Sequence, residues 1–194
     1  LVSSRRVDIV WDIYLKGSLK NSVREKRGNG IWRKVADKNR IPGQWQNFLC
    51  DADNKQELFT FLAEKISSRG FPPGKEVLTT YGAGVLVQGS NLSMPACNHE
   101  EADTRLVLHV QLALQLGFVS CLVRSVDTDV IVILTGKFHQ LQDLCPNANI
   151  WVAFGTGRKF SYINISVIAH TLVKERSTAL PVFHSFTGCD TVSA

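Results

Sequence analysis

The sequence has no apolar run near the roughly 20 residues that a membrane helix needs, and its mean hydropathy is close to zero. The N-terminus has no signal-like pattern. The five cysteines, Cys50, Cys97, Cys121, Cys145 and Cys189, are odd in number and form no CxxC pair. That argues against a zinc ribbon and against a secreted disulfide scaffold. An intracellular, reducing location is expected, the nucleus ahead of the cytoplasm. No GxSxG occurs, and His99, His109, His139, His170 and His184 lie in unrelated contexts, so a Ser-His-Asp hydrolase is disfavoured. His109 is expected on a helix face, and His184 packed near Phe183 and Phe186. Internal repeats and low-complexity tracts are absent too.

What is there fits one globular domain over residues 1–194, with 44% hydrophobic and 20% charged residues and enough chain for a core. A start at Leu1 and a stop at Ala194 read as a fragment of a longer protein. The net charge of +5 is compatible with a nucleic-acid partner.

The organising stretch is residues 119–134, VSCLVRSVDTDVIVIL. Its β-branched start predicts a buried strand that presents Asp127 and Asp129 at its carboxyl tip. Two such carboxylates resist ionising together unless a cation lies between them, and oxygen donors suit Mg²⁺ or Mn²⁺. The expectation is the floor of a metal-dependent phosphoryl-transfer site. Periodicity does not decide whether 130–134 continues as strand or turns helical.

Residues 6–11 (RVDIVW) predict a first buried strand with Asp12 at its tip. Residues 16–40 are rich in Lys and Arg and hold only two acids, Glu25 and Asp37. They read either as a segment that tracks phosphates or as a solvated connector. Asp53 or Asn54 is expected to cap a helix over 55–67. Residues 76–80 and 85–88 predict a hairpin about Gly82 and Gly84, and 149–165 a second about Gly155 and Gly157; each GxG reads as a turn rather than a phosphate cradle. Asn98 is a candidate cap for a helix from His99 to about Leu116, with Glu100, Glu101 and Asp103 near its start. A short helix over 166–176, capped by Ser166 or Asn164, precedes an extended stretch to Asp190. The order of elements predicts an α/β fold with a mainly parallel central sheet, flanking helices and peripheral hairpins. In such sheets ligands bind beyond the carboxyl ends of the strands.

Four motifs in order resemble the flap-endonuclease (5′ nuclease) branch of the PIN-like nuclease superfamily. They are VDIVWDIYLKGSLKNSVREKR, with Asp12, Lys20 and Arg27; HEEADTRL, with Glu101 and Asp103; RSVDTDVIVIL, with Asp127 and Asp129; and FTGCDTV, with Asp190. HEEADTR and FTGCD are also similar to motifs in mobile-element-like animal proteins of unknown activity. The family's first aspartate would precede Leu1, and its helix-turn-helix module would follow Ala194.

The resemblance implies a Rossmann-like, three-layer PIN-like domain and two Mg²⁺ or Mn²⁺ ions about 4 Å apart at the scissile phosphate. Asp127, Asp129 and Asp190 would hold one ion, Glu101 and Asp103 would sit between the two, and Asp12 would help hold the second. Lys20 and Arg27 would offset charge on the phosphate. Lys16, Arg24, Arg33 and Lys34, with those two, would line an arch-like basic segment over 16–40. The partner implied is DNA ahead of RNA, with no membrane and no organic cofactor. Two alternatives stand: a degenerate PIN-like module that binds nucleic acid or protein without cutting, and a Toprim-like phosphotransfer domain, which would not need Asp190.

Overall fold

A computed structural model describes residues 4–14, 32–99 and 101–187. The fold is mixed α/β, as the order of elements predicts. Its described strands form two small mixed sheets of three strands each, where the sequence predicts one mainly parallel central sheet. The chain divides into two compact units, Leu1–Ala102 and Asp103–Ala194.

In the first unit β1 (Arg6–Ile9) pairs in parallel with β2 (Glu76–Tyr81), which turns back into β3 (Gly84–Gln88). The hairpin falls where its glycines place it. Asp8, awkward inside a strand, is accommodated by Arg6, whose Nε and Nη2 each lie 2.7 Å from a different carboxylate oxygen. Such a two-pronged pair outweighs a single-contact surface pair. A short helix α1 (Trp45–Cys50) precedes α2 (Ala52–Ser68). The cap of α2 is Asp51, which accepts from the Asn54 N–H, and not Asp53 or Asn54. Asn54 is instead fully buried and works as a tie: its Oδ1 accepts from the Arg33 N–H and its Nδ2 donates to the Phe48 carbonyl. Tyr81 donates to Glu64 across 3.0 Å, and that hydrogen bond, with the nearby carboxylate charge, raises the phenol above its ordinary pKa of 10.0.

The second unit is built as α3 (Ala102–Gln115), β4 (Ser120–Ser125), α4 (Thr128–Leu144), β5 (Asn149–Phe154), β6 (Ser161–Asn164) and α5 (Ile165–Thr187). β4 and β5 are parallel across the α4 crossover, and β5 and β6 form the second predicted hairpin. Residues 130–134, undecided by periodicity, are the first turns of α4. Val110, Leu114, Val123, Leu134, Phe138, Ile150, Val152 and Ile165 make one buried cluster. β4 itself is an edge strand and not a buried one. Val123 points into the cluster, while Leu122 is 63% exposed.

α5 runs on to Thr187, through Pro181, where the sequence predicts an end near Arg176. Asn164 is its cap, accepting from the Val167 N–H at 3.0 Å. Ser166, the other candidate, is buried and bonds Ile150 and Ala148 instead. The helix is interrupted at Val173, with φ 58° and ψ 168°. The second half is a fresh helix, so Pro181 falls well inside it. Proline at that place removes the N–H that would bond the Ser177 carbonyl. The face so made lies against α4 at Gly136, where an added Cβ would come within 2.4 Å of Pro181 Cγ and 3.3 Å of the Ser177 carbonyl oxygen.

Two outcomes follow for stability. Gly136→Ala forces α4 and α5 apart and should destabilise the second unit by about 1–3 kcal/mol, read as a lower urea midpoint. Val173→Gly relieves a β-branched residue from a conformation that is nearly glycine-only and should raise stability by about 1–3 kcal/mol, read as a higher melting temperature.

Candidate acidic site at the start of α4

The acids singled out by sequence meet different fates. Asp127 and Asp129 are brought together at the turn from the carboxyl end of β4 into α4. Asp127 is exposed and is the helix cap: its Oδ1 accepts from the Asp129 N–H at 2.9 Å, while its own N–H donates to Ser125 Oγ at 3.0 Å. Asp129 lies in the first turn, where a carboxylate is favoured by the helix dipole. The DxD motif thus has a structural role as well as two oxygens to offer a ligand.

Asp129 also has a partner that sequence does not reveal. His184 Nε2 of α5 lies 2.9 Å from Asp129 Oδ1. The His184 side chain is 24% exposed and that of Asp129 39%. This differs from the expected packing of His184 with Phe183 and Phe186, which are 65% and 76% exposed. The two partners are 55 residues apart in sequence, and only the continuation of α5 past Pro181 brings them together. His109, expected on a helix face, is buried.

In the first unit, Asp12 is half-buried beyond β1. Its Oδ1 accepts from the Ala102 N–H at 2.8 Å, and Tyr14 Oη lies 3.5 Å from its Oδ2. Helix α3 begins at Ala102, so neither His99 nor Asn98 opens or caps it. Glu101 lies just before that helix and Asp103 in its first turn, both half-buried. Arg33 and Lys34 are exposed. Lys16, Lys20, Arg24, Arg27, Glu100 and Asp190 lie outside the described residues.

As donors these carboxylates suit a hard cation such as Mg²⁺ or Mn²⁺. As an assembled set they fall short: among the described residues no three His, Cys, Asp or Glu side chains are grouped so as to hold a metal ion. Asp127 and Asp129 each have one oxygen already engaged, Asp127 Oδ1 by the Asp129 N–H and Asp129 Oδ1 by His184. Among the described residues, no helix is long and apolar enough to cross a membrane.

The cap and the charge of Asp127 are separable. Asp127→Ala should cost about 1 kcal/mol through loss of the cap, whereas Asp127→Asn, an equally good cap, should leave thermal stability within a few tenths of a kcal/mol of the parent. No family model matches the chain, and neither the curated proteins nor the solved structures contain a significant match to it.

Proposed function

We propose that this chain is a divalent-metal-dependent nuclease that hydrolyses phosphodiester bonds in DNA, a structure-specific 5′ nuclease of the PIN-like, flap-endonuclease type. The observation that carries the reading is the placing of Asp127 and Asp129 side by side, at the carboxyl end of a strand in a parallel β4–β5 pair. That is where α/β sheets form ligand sites. Bound Mg²⁺ or Mn²⁺ would supply an activated water and neutralise charge on the phosphate. The side chains suited to that role in the second unit are Asp127 and Asp129. His184 fixes the direction of the Asp129 carboxylate. Lys20, Arg27 and Asp190 keep the parts that the resemblance implies.

A second reading is favoured by a specific observation. The described residues gather no three-ligand group, and Asp129 is already engaged by His184. Both features suit a PIN-like module that binds nucleic acid or protein without cutting.

Cleavage of a labelled 5′-flap DNA and of a plain single strand, with Mg²⁺ or Mn²⁺, separates the two. The nuclease reading predicts metal-dependent cutting that falls by about two orders of magnitude or more in Asp127→Asn and in Asp129→Asn. Salt-sensitive binding with no cutting, equal in parent and variants, would establish the binding module instead.

A further inference from the structure

One face of the β4–β5–β6 sheet packs against the helices of the second unit. Val123, Ile150 and Val152 point into the helical cluster. Register assigns the opposite face: Leu122 pairs with Trp151, Arg124 with Ala153, and Ala153 with Tyr162. Tyr162 is 61% exposed and Phe160 41%. Their rings meet edge to face at 5.1 Å, and the Arg124 guanidinium lies 5.5 Å from the Phe160 centroid. Around the buried Ala153 this face presents two exposed aromatic rings with a cation stacked on one of them, a cluster of the kind that marks an interaction site.

The charge on this face has one sign. β4 carries Arg124 and no acid, and residues 149–164 carry Arg158 and Lys159 and no acid. Both latter residues are exposed, in the short 3-10 turn Gly157–Lys159 that delivers Phe160 to the sheet. No acidic partner is found for Arg124, Arg158 or Lys159 among the described residues. The turn is firmly built. Arg124 donates to the carbonyls of Ser125, Ala153 and Gly155 at 2.6–2.9 Å. Gly155, at φ 77°, sits where a Cβ would come within 2.5 Å of the Lys159 carbonyl oxygen. The two rings and Arg124 are therefore held in place, and Arg158 and Lys159 extend from a turn whose backbone is fixed.

We propose that this face is a binding platform for single-stranded DNA, with bases stacked on Tyr162 and Phe160 and phosphates met by Arg158 and Lys159, while Arg124 braces the turn and the Phe160 ring. Unpaired bases supply the flat apolar surface that exposed rings need, and the phosphates supply the negative charge that the two exposed cations Arg158 and Lys159 need. A neutral apolar protein surface would satisfy the rings and leave the cations unmatched. The platform ends at the carboxyl edge of β4, where the Gly155 N–H donates to the Ser125 carbonyl and Asp127 follows two residues on. A strand lying across it is led to the acidic site. The choice of DNA over RNA rests on the nuclease reading above; the platform itself does not.

The test is fluorescence anisotropy of labelled oligo(dT), and of oligo(rU), with the full chain in EDTA, so that binding is read without turnover and stands apart from any failure to cleave. Tyr162→Ala should weaken oligo(dT) binding by about tenfold or more, and Tyr162→Phe should retain it. Arg158→Ala with Lys159→Ala should flatten the slope of log affinity against log salt by about 1.4. Unaltered affinity and slope in these variants, including the case where DNA binds elsewhere on the chain, would overturn the platform. An absence of DNA binding together with self-association that Tyr162→Ala abolishes would overturn it too, whereas tighter binding of oligo(rU) would overturn the choice of DNA. Because Tyr162, Arg158 and Lys159 are exposed, unchanged melting of the variants serves as the folding control.

Discussion

The contact on which the second unit depends is the close approach of α4 and α5 at Gly136. A glycine on one helix and a proline on the other let the two backbones come nearer than ordinary side chains allow. Proline there also frees the Ser177 carbonyl, which faces Gly136. The pairing closes the helical layer over Ile150 and Val152. It sets the path of the last turns of α5, and with it the reach of His184 to Asp129. A feature of backbone packing in the core thus fixes a polar contact at the candidate site.

The same layer accounts for the division of labour in the sheet. With three helices gathered on one side, the opposite face of β4, β5 and β6 carries Leu122, Arg124 and Tyr162, which are exposed, around a buried Ala153. Arg124 ties the outer face to the turn after β5, so that the sheet edge, the basic turn and the start of α4 are mechanically one region. The acidic pair and the aromatic platform lie on the same short segment of structure. Their charges are opposite, which is the combination that the proposed function needs: cations to hold a polyanion and acids to bind the ions that would act on it.

Much of this was legible in the sequence, for definite reasons. Glycines at 82/84 and 155/157 marked both hairpins, and Gly82, Gly155 and Gly157 take a left-handed backbone that few other residues accept. Asn164 announced α5 through capping chemistry. The α/β class followed from the alternation of β-branched and amphipathic stretches. What was not legible depended on tertiary context. An apolar run at 119–123 suggested burial on both faces, yet only alternate residues of an edge strand are covered. The helix predicted to end near Arg176 runs on through Pro181, because proline's cost inside a helix is set by local chemistry and its benefit here lies on another helix. The pairing of His184 with Asp129 spans 55 residues and had no local signal. The DxD motif was seen, but its cap role was not, since a strand with a carboxylate tip and a helix with a carboxylate cap look alike over a few residues. Division of the strands between two sheets likewise depends on long-range pairing, which composition does not report.

The central claim is that Asp127 and Asp129 form the nucleus of a divalent-cation site. Mn²⁺ binding followed by electron paramagnetic resonance tests it without reference to any substrate. The account predicts that the parent chain takes up Mn²⁺, that Mg²⁺ competes for the site, and that Asp127→Asn, which keeps the helix cap, loses the binding. A chain that leaves Mn²⁺ free, or that binds it equally well after Asp127→Asn and Asp129→Asn, would contradict the account.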